Sequence, residues 1–175
     1  LPRTITIGRL DLTTEGILQL TNDGGLARAM ELPKTGFVRN YRARAHGEIT
    51  QDQLDTLKGG ITLEDGTRYT SIEAELERAT GSNNWINVRL SEGKNREVRK
   101  AMEHLGLQVN RLIRTQYGPF ELSDLRHVAV EEIPAEILRE TLKDAIPDQH
   151  LPVIEETRER PRKAPVGSRL HRRKR

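Results

Sequence analysis

The apolar positions of this chain recur mostly with period two, so strands dominate the reading. Ile5 to Leu10 reads as a strand feeding a turn at Asp11, and Ile17 to Leu20 as a short buried strand. Asn22-Asp23-Gly24-Gly25 reads as a turn, with glycines where positive φ is wanted. Leu26 to Leu32 then makes a short helix stopped by Pro33. From Val38 to His46 the chain alternates, placing Tyr41, Ala43 and Ala45 on one strand face and Arg42 and Arg44 on the other. Thr50 and Gln53 have the spacing of a capping box, opening a helix through Leu57 that Gly59-Gly60 terminates. Strands over 69–77 and 85–90, joined at Gly81-Ser82-Asn83-Asn84, read as a hairpin. Asn95 is the expected cap of a helix to about Leu105, with Val98, Met102 and Leu105 on its apolar face and Gly106 as its stop. A strand over 109–116 ends at Gly118-Pro119, and 133–142 forms a last amphipathic helix with Pro134 in its first turn. The expected fold is α+β: a mixed, mainly antiparallel sheet flanked by helices. It occupies residues 1–146, and 147–175, polar and proline-spotted, forms a basic disordered tail.

Charge sharpens that division. The net charge of +3 combines a tail, Arg158 to Arg175, with nine Lys/Arg and one acid (+8), and residues 1–157, with 20 Lys/Arg and 25 Asp/Glu (−5). The body is mildly acidic, so a polyanion must bind it through a local patch. At 175 residues the chain can bury a core without covalent staples. The absence of cysteine removes disulfides, thiolate metal sites and cysteine nucleophiles together, and suits a cytoplasmic protein. The five histidines show no ligand-type spacing, and there is no nucleotide-binding glycine signature, so neither metal nor cofactor is expected. No apolar run approaches the ~20 residues needed to cross a bilayer. No heptad or long apolar edge calls for a dimer, so a monomer is expected. The first residue is Leu1 rather than Met, as in a fragment or a trimmed product.

Two stretches carry candidate chemistry. Gly8-Arg9-Leu10-Asp11, followed by Thr14-x-Gly16 and Thr21-Asn22-Asp23-Gly24, sets a carboxylate beside a short apolar run and a tight turn. Asp11 could be a nucleophile on a rigid element, with Arg9 reaching a phosphate or a displaced base; Arg-x-Asp alone also occurs in many surface strands. The second stretch, Ser91 to Lys100, runs from a strand end through a glycine into a helix start. From Lys94 to Arg114 six basic residues (94, 96, 99, 100, 111, 114) face two acids (97, 103), a local +4 suited to nucleic-acid phosphate. The same run is also compatible with a solvated helix face laced by i,i+4 pairs. Tyr41, one of only six aromatics, could stack on an unpaired base or be an ordinary packed strand tyrosine. So few aromatics argue against a multi-base stacking platform.

Taken in order, Gly8-Arg9-Leu10-Asp11-x-x-Thr14-x-Gly16, Leu20 to Gly24, Arg39-Asn40-Tyr41, Glu92 to Arg99, Arg111 to Arg114 and Gly118-Pro119 resemble the catalytic domain of ribosomal-RNA pseudouridine synthases of the RsuA/RluB class. The resemblance spans about residues 1–142, and the wording Asn95-Arg96-Glu97-Val98-Arg99 with the basic tail is closer to the large-subunit subtype. It implies that Asp11 is the catalytic aspartate attacking the target nucleoside. It implies also that Arg9 helps evert the uridine, that Tyr41 stacks on the uracil and assists proton removal, and that Arg99 pairs with the aspartate. Lys94, Arg96, Lys100 and Arg114 are then expected to contact RNA. Family members carry a small S4-like RNA-binding domain and an Asn-Lys-Pro-x-Gly strand upstream, and this chain has neither, as expected of a fragment.

The reaction so implied breaks the N1–C1′ bond of a uridine, turns the base and rejoins it through C5, with no redox change. It needs an ionised carboxylate to attack or deprotonate the sugar, and aspartate as a residue type supplies one at neutral pH. Unstacking the target costs a few kcal/mol, which phosphate contacts and tyrosine stacking can offset. The expected substrate is ribosomal RNA, with a 23S stem-loop favoured. Two other readings remain open on sequence: a non-catalytic RNA-binding assembly module, and a metal-dependent nuclease using Asp11, Asp23 and a glutamate.

Overall fold

The structure, a computed structural model, describes residues 3–123 and 125–154. In chain order the elements are β1 (Ile5–Ile7), β2 (Thr14–Gly16), β3 (Gln19–Thr21), α1 (Gly24–Glu31), β4 (Arg39–His46), α2 (Gln51–Asp55), β5 (Ile61–Thr62), β6 (Arg68–Tyr69), β7 (Glu73–Thr80), β8 (Asn83–Leu90), α3 (Glu97–His104), β9 (Gln108–Tyr117), β10 (Phe120–Glu121) and α4 (Ala135–Leu142). The main sheet has strand order β10-β9-β4-β8-β7, all antiparallel, and β2 joins β9 in parallel. This is the expected α+β class with a mixed, mainly antiparallel sheet.

Alternation decides which sheet face is covered. Ala43, Ala45, Ile86, Val88 and Leu112 point to one side, where Leu54 and Leu57 of the α2 region and Val98, Ala101 and Met102 of α3 close over them. The opposite face keeps the arginines, with Arg42 stacked 4.2 Å from the Trp85 ring centroid and forked onto Glu77. A second core gathers Ile7, four residues of α1, Tyr117, Leu142, Ile146 and Leu151. The edge strand β7 does not end in bare polar groups. The Gln51 amide donates to the Ala74 carbonyl (2.9 Å) and accepts from the Leu76 N–H (2.8 Å), acting as a one-residue partner strand.

Several local expectations are corrected. The 17–20 segment is a strand only from Gln19, and Leu18 and Leu20 stay 40% and 42% exposed because none of the described residues forms a layer over that face of the β1–β3 ribbon. Gly24 and Gly25 begin α1 in place of a positive-φ turn, since the Asp23 carboxylate accepts from the N–H groups of Gly25 and Leu26. Tyr69 pairs with Ile61 in a separate small ribbon, and the β7–β8 hairpin turns over Gly81 and Ser82 alone. The capping box at Thr50 and Gln53 forms as expected. Asn95 does not cap α3; the N-cap position falls on Arg96, at φ 51°, whose side chain makes no capping bond. Finally, the chain stays packed beyond Pro147: Asp148–His150 makes a 3-10 turn and Leu151 is buried, because that apolar side chain completes the second core. Residues 155–175, most of the expected tail, lie outside the described residues.

Candidate active site

The two cores meet at a cavity of about 370 Å³, within the range of small-ligand sites. One wall comes from the loop between β1 and β2. Gly8, at φ 69°, ends β1 against the Tyr117 ring, and Asp11 follows in a turn closed by the Thr14 N–H donating to its carbonyl (2.9 Å). Gly16 ends the loop at φ 110°, where a Cβ would stand 2.1 Å from the Arg114 carbonyl oxygen, so only glycine lets β2 lie on β9. The other wall is the turn from Gly93 to Glu97 that leads into α3.

Two buried arginines hold the Asp11 loop between them. Arg114, 1% exposed, donates from Nε and Nη2 to the Ile17 carbonyl (2.9 and 2.8 Å) and from Nη1 to the Arg9 carbonyl (3.1 Å). Arg99, also buried, donates to the Thr13 carbonyl (2.8 Å) and the Val109 carbonyl (3.1 Å). Burial lowers the pKa of both guanidinium groups; carbonyls replace the lost water at all three nitrogens of Arg114 and at the two terminal nitrogens of Arg99, whose Nε has no partner among the described residues.

This geometry redistributes the expected roles. The ion pair to Asp11 comes from Arg96, whose Nη1 lies 3.9 Å from Oδ2, and not from Arg99, whose two terminal nitrogens are taken by backbone carbonyls. Both partners of that pair are partly exposed, so it is worth at most about 1 kcal/mol and orients more than it stabilises. The left-handed backbone at Arg96 is unusual for a non-glycine residue and belongs to the turn that brings its side chain to Asp11. The Arg114 guanidinium is inside the fold, committed to the Ile17 and Arg9 carbonyls, and lines the inner end of the cavity. Arg9 is exposed at the rim and free to reach a substrate. Lys94 is exposed but tethered, donating to the Arg68 carbonyl (2.6 Å) and to Glu92 (3.2 Å). Lys100 pairs loosely with Asp65 at 3.6 Å and does not line the cavity.

Tyr41, half-buried on β4, lines the cavity beside Arg114. Burial pushes its phenol up, against the pull of the Arg114 and Arg39 charges, so it meets a ligand as a neutral hydroxyl. Three residues without an assigned role complete the site. Arg39 donates to the carbonyls of Phe37, Ser91 and Glu92 and stacks 4.7 Å from the Tyr117 centroid, pinning the strand end that feeds the turn. Tyr117, fully buried, is the floor. Glu97, 4% exposed, accepts from the Lys94 N–H (2.8 Å) through Oε2, while Oε1 is buried with no partner among the described residues. Its carboxyl is raised to about 7, chiefly by burial, with Glu92 adding to the rise and the Lys94 N–H opposing it. The string Arg39-Asn40-Tyr41 pointed near Arg39; nothing in the sequence separates Glu97 from an ordinary helix-start acid.

Among the described residues no group of three or more His, Asp or Glu is arranged to hold a metal, and Asp23 is committed to capping α1. No helix among them is long and apolar enough to cross a membrane.

A sequence profile described as RNA pseudouridylate synthase matches residues 2–104. The chain belongs to that family. Among curated relatives, an uncharacterized RNA pseudouridine synthase of Rickettsia bellii is 47% identical over 141 residues, covering 79% of this chain and 60% of the relative. The ribosomal large subunit pseudouridine synthase B of Pasteurella multocida is 43% identical over 120 residues, covering 69% and 34%. The chain thus spans no more than about 60% of the curated relatives it matches. A crystal structure of a pseudouridylate synthase superposes with a TM-score of 0.63 at 24% identity, covering 69% of this chain and 51% of that one, a likeness of fold.

Proposed function

We propose that this chain is the catalytic domain of an RNA uridine isomerase that converts a uridine of ribosomal RNA, 23S favoured, to pseudouridine. The observation that carries this reading is the cavity shared by Asp11, its Arg96 partner and Tyr41 in a member of the RNA pseudouridylate synthase family. The large-subunit choice draws on relatives such as the ribosomal large subunit pseudouridine synthase B of Pasteurella multocida. In the proposed reaction a uridine leaves its stack and enters the cavity, with Arg9 at the rim positioned to occupy the vacated space. An Asp11 oxygen bonds to C1′ as the C1′–N1 bond breaks, and the electron pair passes to the uracil ring. The ring turns beneath Tyr41, C5 forms the new bond to C1′, and Asp11 departs. The C5 proton is lost and N1 regains one, so the product is an isomer with no net redox change. Arg96 holds the carboxylate in place through each step, and Arg99 and Arg114 keep the loop rigid.

Carbodiimide mapping of 23S rRNA incubated with the protein tests this. A single new pseudouridine is expected with the natural chain and none with Asp11→Asn, while RNA affinity changes little. Pseudouridine formed by the asparagine variant would sink the aspartate mechanism. If neither protein modifies RNA that both bind, the chain is a binding module.

A further inference from the structure

Among the described residues, Glu97 is the one buried carboxyl at this site whose hydrogen bonding is half complete. Oε2 is fixed by the Lys94 N–H at 2.8 Å, while Oε1 is buried, has no partner among the described residues and belongs to a side chain lining the cavity. A buried polar atom left so is costly and needs a reason. Building on the isomerase reading, we propose that Glu97 is a catalytic residue whose Oε1 hydroxyl donates a hydrogen bond to a carbonyl oxygen of the everted uracil. When the C1′–N1 bond opens, the ring gains an electron pair that spreads over its carbonyl oxygens. A fixed neutral donor stabilises that charge, whereas a carboxylate would repel it. No proton is transferred in this contact. The surroundings favour the acid form. Glu92 and Lys94 face Glu97 from the turn, and Arg39 acts from β4, with burial outweighing the two cations. The phenols of Tyr41 on β4 and Tyr69 on β6 are themselves raised in part by Glu97. As an acid, Glu97 can accept from the Lys94 N–H through its carbonyl oxygen and still donate from the other.

Single-turnover rates of pseudouridine formation in 23S rRNA, from below to above pH 7, test this with the natural chain, Glu97→Gln, Glu97→Leu and Asp11→Asn. For the natural chain the rate is expected to fall about tenfold per pH unit above the Glu97 value of about 7. Glu97→Gln, which keeps a neutral donor, is expected to remain active without that fall. Glu97→Leu is expected to be about 100-fold slower with RNA affinity unchanged. Full speed for a folded Glu97→Leu protein, an inactive but folded Glu97→Gln protein, or the same alkaline fall in Glu97→Gln overturns the proposal. If circular dichroism shows that Glu97→Leu does not fold, the Glu97→Gln profile decides alone. Activity in Asp11→Asn overturns the aspartate mechanism instead, so the two failures are distinct.

Discussion

The guanidinium of Arg114 makes three bonds to the Ile17 and Arg9 carbonyls and is 1% exposed, so its substitution tests the fold before it tests RNA affinity. Lysine keeps the charge but not the planar fork. Arg114→Lys is therefore expected to lose on the order of 2–3 kcal/mol of stability, from carbonyls left unsatisfied. Denaturant midpoints measure this, and an unchanged salt slope of RNA binding would accompany it. Stability also depends on pH through Glu97, whose folded pKa of about 7 exceeds its ordinary 4.5. Between those values the unfolded chain releases the proton while the folded protein holds it, so stability falls as pH rises through this window and levels off above it. The loss is on the order of 3–4 kcal/mol, and Glu97→Gln is expected to abolish it. Equal pH dependence of the urea midpoints for the two proteins would show that the carboxyl is not raised.

Among the elements, the sharpest constraint falls where β2 meets β9. A Cβ on Gly16 would overlap the Arg114 backbone, and φ 110° is closed to side-chain-bearing residues. Gly16→Ala is expected to detach β2, release the Asp11 loop and abolish activity, with a loss of protection at the β2 amides readable by hydrogen exchange. Helix α2 offers the contrast of an element remote from the chemistry. Gln51 closes the β7 edge by two hydrogen bonds, each worth about 0.5–1.5 kcal/mol net. Gln51→Leu should cost about 1–3 kcal/mol, favour self-association through the bared edge, and leave the catalytic rate per folded molecule intact. Sedimentation and single-turnover assays separate the two effects.

For the whole molecule, two hydrophobic cores carry the two walls of the cavity, so the site exists only where they join. Charge acts at the same scale. The +8 of residues 158–175 is set against a −5 body, and deleting that segment is expected to weaken RNA binding uniformly across sequences and flatten its dependence on salt. An affinity and a slope that do not change would show that the segment has no part in binding.

Periodicity and punctuation made much of this legible in the sequence. The alternation of 38–46 placed Tyr41 with Ala43 and Ala45, and Thr50 with Gln53 announced a helix start, because both signals are local. The segments misread were those whose state depends on distant partners. Leu18 and Leu20 look buried until the sheet leaves their face uncovered, and Leu151 looks like tail until it meets α1 and α4. The Asp11 and Lys94–Arg99 motifs were visible as strings of residues, and their order along the chain identified the family. Which basic side chain faces the carboxylate was decided by tertiary structure alone. A guanidinium's role follows from what surrounds it: in the Lys94–Arg114 run, Arg96 reaches Asp11 while Arg99 and Arg114 are consumed by backbone carbonyls. The sequence by itself determined the longer elements, the charge division and the motifs that carry the reactive groups. Packing decided their exposure and protonation, because desolvation and hydrogen-bond partners come from residues tens of positions away.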